Sequence, residues 1–379
     1  MSPGGRSVTS RALDIRMAQT FTIFATVISL AVLVVVRAER AVRAPSAARF
    51  APSDPLDERA LAALGFKADR QGERTHALAL IDFAGRRSWR DPQVQAWLLQ
   101  RAVENGDWAG ASVHADALLR IDGDGVLRQA AFRFLDVIAK DEAARPALVE
   151  RLRHRPWWRE SWLAHLAQAA ASTKGVVSAD DARSIVISLG SGAGRLSEAE
   201  YLPYVEMRLA RGDFLAARHD WGALASRPDA EALLRDPTFQ TLGGSSPFDW
   251  RRASGVGVSS DVEATGNGGR ALRVDYDGAS TPDLPRQIIV LSSGRYSLAW
   301  RERITGPPRI VWRVRCLGPE PRILAQNSPV GAADWRARAL TFEVTPHCPA
   351  QELELVPLPG ERREDVTGWF AGLALSRRS

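Results

Sequence analysis

Three patterns of hydrophobic and polar positions follow one another along the chain. The first is a run of 20 residues without a charge, Met17 to Val36, between Arg16 and Arg37. A helix rises about 1.5 Å per residue, so the run spans roughly 30 Å, the hydrocarbon thickness of a bilayer. Its many Val, Ile and Thr are poor helix formers in water. In lipid every backbone group must bond internally, so a helix forms regardless. A cleaved signal peptide has a shorter apolar region, about 7–15 residues, ending at small side chains; here Val36-Arg37-Ala38 sets an arginine at that point. The pattern predicts a retained transmembrane helix over 17–36, with a cytoplasmic tail over 1–16. A linker rich in Ala, Pro, Ser and Arg follows over 37–55. Arg6, Arg11 and Arg16 on one side and Arg37, Arg40, Arg43 and Arg49 on the other nearly balance, so charge alone does not orient the helix.

The second pattern, over 56–240, has helical period. Asp91-Pro92 opens a helix with proline in its first turn, and Val94, Trp97, Leu98 and Arg101 follow at helical spacing. One turn recurs. Gly72-Glu73-Arg74 precedes Ala77, Gly106-Asp107-Trp108 precedes Ala111, and Gly212-Asp213-Phe214 precedes Ala217. The first two glycines are 34 residues apart and the third lies 106 further on, close to three such periods. Glycine ends one helix and the acidic residue caps the next. This 34-residue helix–turn–helix period resembles tetratricopeptide arrays. The resemblance implies a solenoid-like stack with a concave surface that docks a protein partner; the alternative is a helical spacer. Two departures stand against it. The usual closing proline is missing where Ile121 runs into Asp122-Gly123-Asp124-Gly125, and 145–191 shows no repeat. The Asp-Gly-Asp-Gly segment lacks the other ligands of a calcium loop and reads as an inter-helix turn. Trp158 and Trp162, four apart, read as core.

The third pattern, over 246–379, alternates with period two. Leu272, Val274 and Tyr276 alternate with Arg273 and Asp275; Tyr296, Leu298 and Trp300 with Ser297, Ala299 and Arg301; Ile310, Trp312, Val314 and Cys316 with Val311, Arg313 and Arg315. Further strands are predicted near 287–291, 340–344, 351–356 and 370–375. Turn signals such as Gly306-Pro307-Pro308 separate them. Eight or nine short strands predict an antiparallel β-sandwich. The order of features resembles the jelly roll of bacterial carbohydrate-binding modules. Asn267-Gly-Gly stands before a strand, Gly294-Arg295-Tyr296 opens another, Trp335 begins a late one, and Val366-Thr-Gly-Trp369 leads into the last. The resemblance implies glycan binding through aromatic side chains on a concave face or loop edge. The aromatic strand residues read above have core parity, so those positions are not assigned.

The fold class is therefore multidomain, α then β: a transmembrane helix, a helical repeat region and a C-terminal jelly roll. Within the sandwich, Arg301, Arg303, Arg313 and Arg315 share the parity opposite to the apolar set. If their two strands are neighbours, four guanidiniums share one exposed surface fit for an acidic glycan. The alternative is a solvated face, since the 50 basic residues, nearly all arginine, are interspersed with 44 acidic ones. Cys316 and Cys348 fall at strand ends, where a disulfide is feasible; the alternative is two buried thiols. A disulfide would need an oxidising compartment, which fits a periplasmic or outward-facing body. Two lone cysteines and scattered histidines make no zinc site. No GxSxG, GxxxxGK[ST] or HExxH motif occurs, and neither a cofactor nor nucleic acid is expected. The carboxylates Asp275, Asp277, Glu302 and Glu343 leave a glycoside hydrolase open. The preferred function is a non-catalytic adaptor, single-pass in a bacterial inner membrane with its bulk periplasmic. It would dock a protein on its helices and a glycan on its sandwich, in surface-polysaccharide assembly or export. The alternatives are a protein scaffold with a structural sandwich and a glycan-modifying enzyme. N-terminal sequencing of the membrane-extracted protein should find 17–36 retained; a start near Glu39 would refute the anchor.

Overall fold

The computed structural model describes residues 57–378 apart from 122–124, 173–174, 193 and 266–268. The expected tail, membrane helix and linker lie outside the described residues, as do Asp122 and Asp124. No described helix is long and apolar enough to cross a membrane. The described residues contain ten α-helices followed by nine strands. The chain divides into two compact units between Glu200 and Tyr201.

The first unit opens with two helical hairpins, α1 (Glu58–Arg70) with α2 (Arg74–Arg87) and α3 (Pro92–Glu104) with α4 (Trp108–Ile121). Their turns are built alike. Gly72 and Gly106 take φ of +80° and +69°, a left-handed conformation that glycine adopts without strain. The following amide closes back onto the helix, Glu73 N–H to the Ala68 carbonyl at 3.0 Å and Asp107 N–H to that of Ala102 at 2.8 Å. Ala77 and Ala111 are fully buried where the second helix of each pair begins. The hairpins are joined by Asp69 of α1, which accepts from Trp97 Nε1 at 3.0 Å and Arg101 Nη2 at 2.9 Å.

Four helices complete the unit: α5 (Val126–Lys140), α6 (Arg145–Arg153), α7 (Arg159–Ala171) and α8 (Ala179–Leu189). Buried polar groups organise them. Asp116 of α4 accepts from Trp158 Nε1 at 2.6 Å and pairs with Arg151. Trp158 and Trp162 are fully buried and meet edge to face at 6.4 Å, as their spacing predicts. Arg159 is also buried. It donates to Glu200 through Nε and Nη2, each at 2.5 Å, and through Nη1 to the carbonyls of Leu152 and Gly194. Burial alone would raise the Glu200 carboxyl; the hydrogen bonds from Arg159 and the Ser197 amide outweigh it and hold that carboxyl low.

The second unit includes the third recurring turn. Gly212 (φ +82°) joins α9 (Glu198–Ala210) to α10 (Phe214–Ala225), with Asp213 N–H closing to the Arg208 carbonyl at 2.9 Å. The hairpin is tied to the strands by Arg218 of α10. Its guanidinium donates to the carbonyls of Ala230 at 2.6 Å, Ala232 at 3.2 Å and Val290 at 2.6 Å.

The strands are β1 (Val258–Ala264), β2 (Arg270–Tyr276), β3 (Arg286–Ile289), β4 (Gly294–Thr305), β5 (Ile310–Leu317), β6 (Arg322–Gln326), β7 (Ala332–Val344), β8 (Ala350–Pro357) and β9 (Val366–Arg378). All pairings are antiparallel, in sheets ordered β1-β2-β9-β4-β7 and β3-β8-β5-β6. The core lies between them. Trp312 of β5 is fully buried, with ring centroids of Trp250 at 5.9 Å, Trp300 at 6.5 Å and Phe370 at 5.7 Å. Beside this core Cys316 and Cys348 form a disulfide with a Cα–Cα distance of 5.6 Å across a separation of 32 residues. A loop of that length loses conformational freedom worth about 3–4 kcal/mol in the chain-entropy model. Replacing both cysteines with serine should lower stability by roughly 3 kcal/mol, read as an earlier urea midpoint for the tryptophan fluorescence of the sandwich. An unchanged midpoint would show that the crosslink restrains nothing.

Candidate ligand-binding face

Each strand of the five-stranded sheet sends alternate side chains to the core and outward. On β4 the core receives Tyr296, Leu298, Trp300 and Ile304, so Arg301 and Arg303 point away from it. On β9 the core receives Val366 and Phe370, which turns Trp369 outward. On β2 Leu272, Val274 and Tyr276 face inward, which turns Arg273 outward. Pairing then sets these side chains in one row. Arg273 stands opposite Trp369, and Trp369 opposite Arg303.

The row is a sequence of guanidinium–indole contacts. The Trp369 ring centroid lies 4.0 Å from Cζ of Arg303 and 5.8 Å from Cζ of Arg273. On β7, Trp335 continues it, with its centroid 5.7 Å from Arg303 and 5.4 Å from Arg301. Each such contact contributes about 0.5–1 kcal/mol at an exposed site. They hold the arginines against the sheet, so fewer rotamers are lost when a ligand binds.

One end of the row is charge-compensated. Glu263 of β1 accepts from Arg273 Nη1 at 2.7 Å and from Trp369 Nε1 at 2.9 Å. Those two hydrogen bonds, from Arg273 first, hold the Glu263 carboxyl below its ordinary range. Asp275 accepts from Arg273 Nη2 at 2.9 Å and from Thr367 Oγ1 at 2.8 Å. At the other end, Arg301 and Arg303 form no ion pair among the described residues.

Arg313 and Arg315 are not part of this face. They lie on β5, which follows β4 in the chain but belongs to the other sheet, so their outward side is the opposite side of the sandwich. The expected surface of four arginines is therefore two separate pairs. Arg313 Nε bonds Glu354 at 2.8 Å, and Arg315 bonds Glu352. Both glutamates are nearly buried, at 10% side-chain exposure, so these guanidiniums are already matched.

The four carboxylates considered for hydrolysis sit in different surroundings. Glu302 faces the core, accepting from Trp300 Nε1 at 2.6 Å and pairing with Arg338 at 3.3 Å, and burial pushes its carboxyl up. Asp277 accepts the turn amides of Ser280 and Ala279, and these bonds hold it low. Asp275 pairs through Thr367 with the Thr305 end of β4, whereas Glu343 pairs with Arg295 at the other end. Ten strand residues separate those ends, about 33 Å, against the roughly 5–10 Å between hydrolytic carboxylates.

No protein-family model matches this chain, and no curated protein matches it. Solved structures similar to part of this chain include carbohydrate-binding modules. They include a CBM4 structure at 16% identity, covering 35% of this chain and 97% of that one, with a TM-score of 0.28. TmCBM61 in complex with β-1,4-galactotriose is 21% identical over 38% of this chain and 98% of that one, with a TM-score of 0.29. A family 16 carbohydrate-binding module is 18% identical over 38% of this chain and 99% of that one, also with a TM-score of 0.29. The C-terminal β-sandwich thus resembles carbohydrate-binding modules.

Proposed function

We propose that the chain is a non-catalytic, membrane-tethered adaptor whose sandwich binds an acidic glycan on the outer face of the five-stranded sheet. The observation that carries this reading is the row Arg273–Trp369–Arg303–Trp335–Arg301. Indole edges offer apolar contact to the C–H groups of a sugar ring. Arg301 and Arg303 offer paired donors to a carboxylate, sulfate or phosphate on it. The row crosses adjacent strands, so its length suits successive residues of a polymer. The uncharged run 17–36 supports the tether. The disulfide agrees with an oxidising compartment such as a periplasm. Leu64 of α1 with Leu78 and Phe83 of α2 stay 45%, 46% and 44% exposed, which favours a protein contact on the helical unit. Such an adaptor would bridge a glycan and a protein complex at a bacterial inner membrane, in polysaccharide assembly or export.

The test is a titration of the full chain and its R301Q/R303Q variant with an acidic and a neutral polysaccharide, at low and high salt. Exposed guanidinium contacts contribute about 0.2–1 kcal/mol each, so the variant should bind the acidic polymer up to about tenfold more weakly. Salt should weaken binding by the wild type more than by the variant. Equal binding by the two proteins would remove these arginines from the site and leave a protein scaffold with a structural sandwich. Release of reducing ends during the titration would instead establish a glycan-modifying enzyme.

The free face also has a pH signature. A carboxyl with a depressed folded pKa lends stability above its unfolded pKa and loses it as pH falls through the folded value. For Glu263 that window lies below about pH 4. Acidification there should release Arg273 and the Trp369 indole and change Trp369 fluorescence. Glu263→Gln should abolish that transition; an identical transition in the variant would assign it to another group.

A further inference from the structure

The second unit also has a cleft with a charge arrangement that the sheet face does not use. Arg251, ahead of the strands, forms an isolated antiparallel bridge with Arg286 of β3, its N–H donating to the Arg286 carbonyl at 2.9 Å. Residues directly opposite in an antiparallel pair send their side chains to the same side, and like charges placed so destabilise the pair. A third guanidinium, that of Arg252, joins them in lining a cleft of about 310 Å³. An adjoining cleft of about 280 Å³ shares Arg251 and Arg286 and adds Glu206 and Glu352.

Carboxylates match part of this charge and leave Arg251 without one. Arg286 reaches Asp283 at 3.0 Å and Glu352 at 3.7 Å. Arg252 reaches Asp261 only at 3.9 Å, between side chains 54% and 78% exposed, where a pair contributes little. Arg251 forms no ion pair among the described residues. The larger cleft is thus lined by three arginines and one aspartate.

Two glycines, Gly243 and Gly244, also line the cleft. Gly243 takes φ of +91°, and its N–H bonds the Trp250 carbonyl at 2.8 Å, which fixes the loop beside Arg251. A Cβ at Gly244 would meet the Asp249 side chain at 2.5 Å, so that position admits no side chain. Guanidinium forks lining one cleft are chemistry that recognises tetrahedral oxyanions. The volume lies at the lower end of small-molecule sites and suits a compact ligand rather than a polymer.

We propose that this cleft binds a phosphoryl group, either free phosphate or the end of a small phosphorylated molecule. An anion there gives Arg251 the partner that no described carboxylate supplies. The proposal is independent of glycan binding on the sheet face.

The test uses the full chain with inorganic phosphate, glycerol 3-phosphate and glycerol, by calorimetry and thermal unfolding at low salt. Saturable binding with Kd below about 1 mM, together with a raised Tm, is expected for a phosphorylated ligand and not for glycerol. A larger effect of glycerol 3-phosphate would identify an organic phosphate as the ligand; an equal effect would identify free phosphate. R251Q should weaken phosphate binding about tenfold or more. R252Q, changed at an exposed side chain, should weaken binding also and serves if R251Q does not fold. The proposal is overturned if the wild type shows no saturable phosphate binding, or if both variants bind as it does. It is equally overturned if R301Q/R303Q removes the binding, since the anion would then belong to the sheet face.

Discussion

Trp312 of the four-stranded sheet packs against Trp300 and Phe370 of the five-stranded one, and the other positions in both sheets follow from that contact. Strand side chains alternate with period two, so a slip of one residue on β4 or β9 would move Trp300 or Phe370 out of the core. It would carry Arg301, Arg303 and Trp369 inward, where unpaired guanidiniums are strongly disfavoured. The core contact and the outward row are thus two consequences of one register. A close-packed aromatic core resists such slips because its rings leave little room for repacking.

This explains why part of the site is legible in the sequence and part is not. Alternation along β4 is strong enough to place Arg301 and Arg303 outward without coordinates, and the same holds for Arg313 and Arg315 on β5. Which strands are neighbours is a different quantity. The turn Gly306-Pro307-Pro308 carries the chain from one sheet to the other, so consecutive strands end on opposite sides of the sandwich. Nothing local in that turn distinguishes a crossing from a hairpin. Trp369 was within reach, because Val366, Gly368 and Phe370 share one parity and leave it on the other. Its partners Arg303 and Arg273 lie far away in sequence, and only the pairing of β9 between β2 and β4 brings them together. β1 and β6 escape prediction for a simpler reason. One reads Val-Ser-Ser-Asp-Val-Glu-Ala, and the other is a five-residue edge strand with Ile323 55% exposed, so neither alternates clearly.

The helical part shows the converse case, in which a local signal suffices. Gly72, Gly106 and Gly212 adopt the left-handed conformation, and each is followed by the same backward amide bond. The three turns read as equivalent in the sequence are built alike because the determinants lie within six residues. Between the second and third, the chain is held by long-range polar contacts instead, Asp116 with Arg151 and Trp158, and Arg159 with Glu200. Buried partners of this kind leave no periodic trace, which is why 145–191 shows no repeat and yet folds into helices.

Net charge says little about where this protein would meet an anion, and the arrangement of arginines shows why. Arg159, Arg218, Arg313 and Arg315 are matched by carboxylates or backbone carbonyls. Their charge is committed to the fold, and removing a partner would leave a poorly solvated ion. Arg301 and Arg303 are held by aromatic rings, which orient a guanidinium without neutralising it. Arg251 is held in place by a backbone bridge to Arg286, with no carboxylate of its own among the described residues. An arginine is therefore available to a ligand when neither a carboxylate nor a carbonyl already satisfies it, and Arg301, Arg303 and Arg251 are among those that meet that condition.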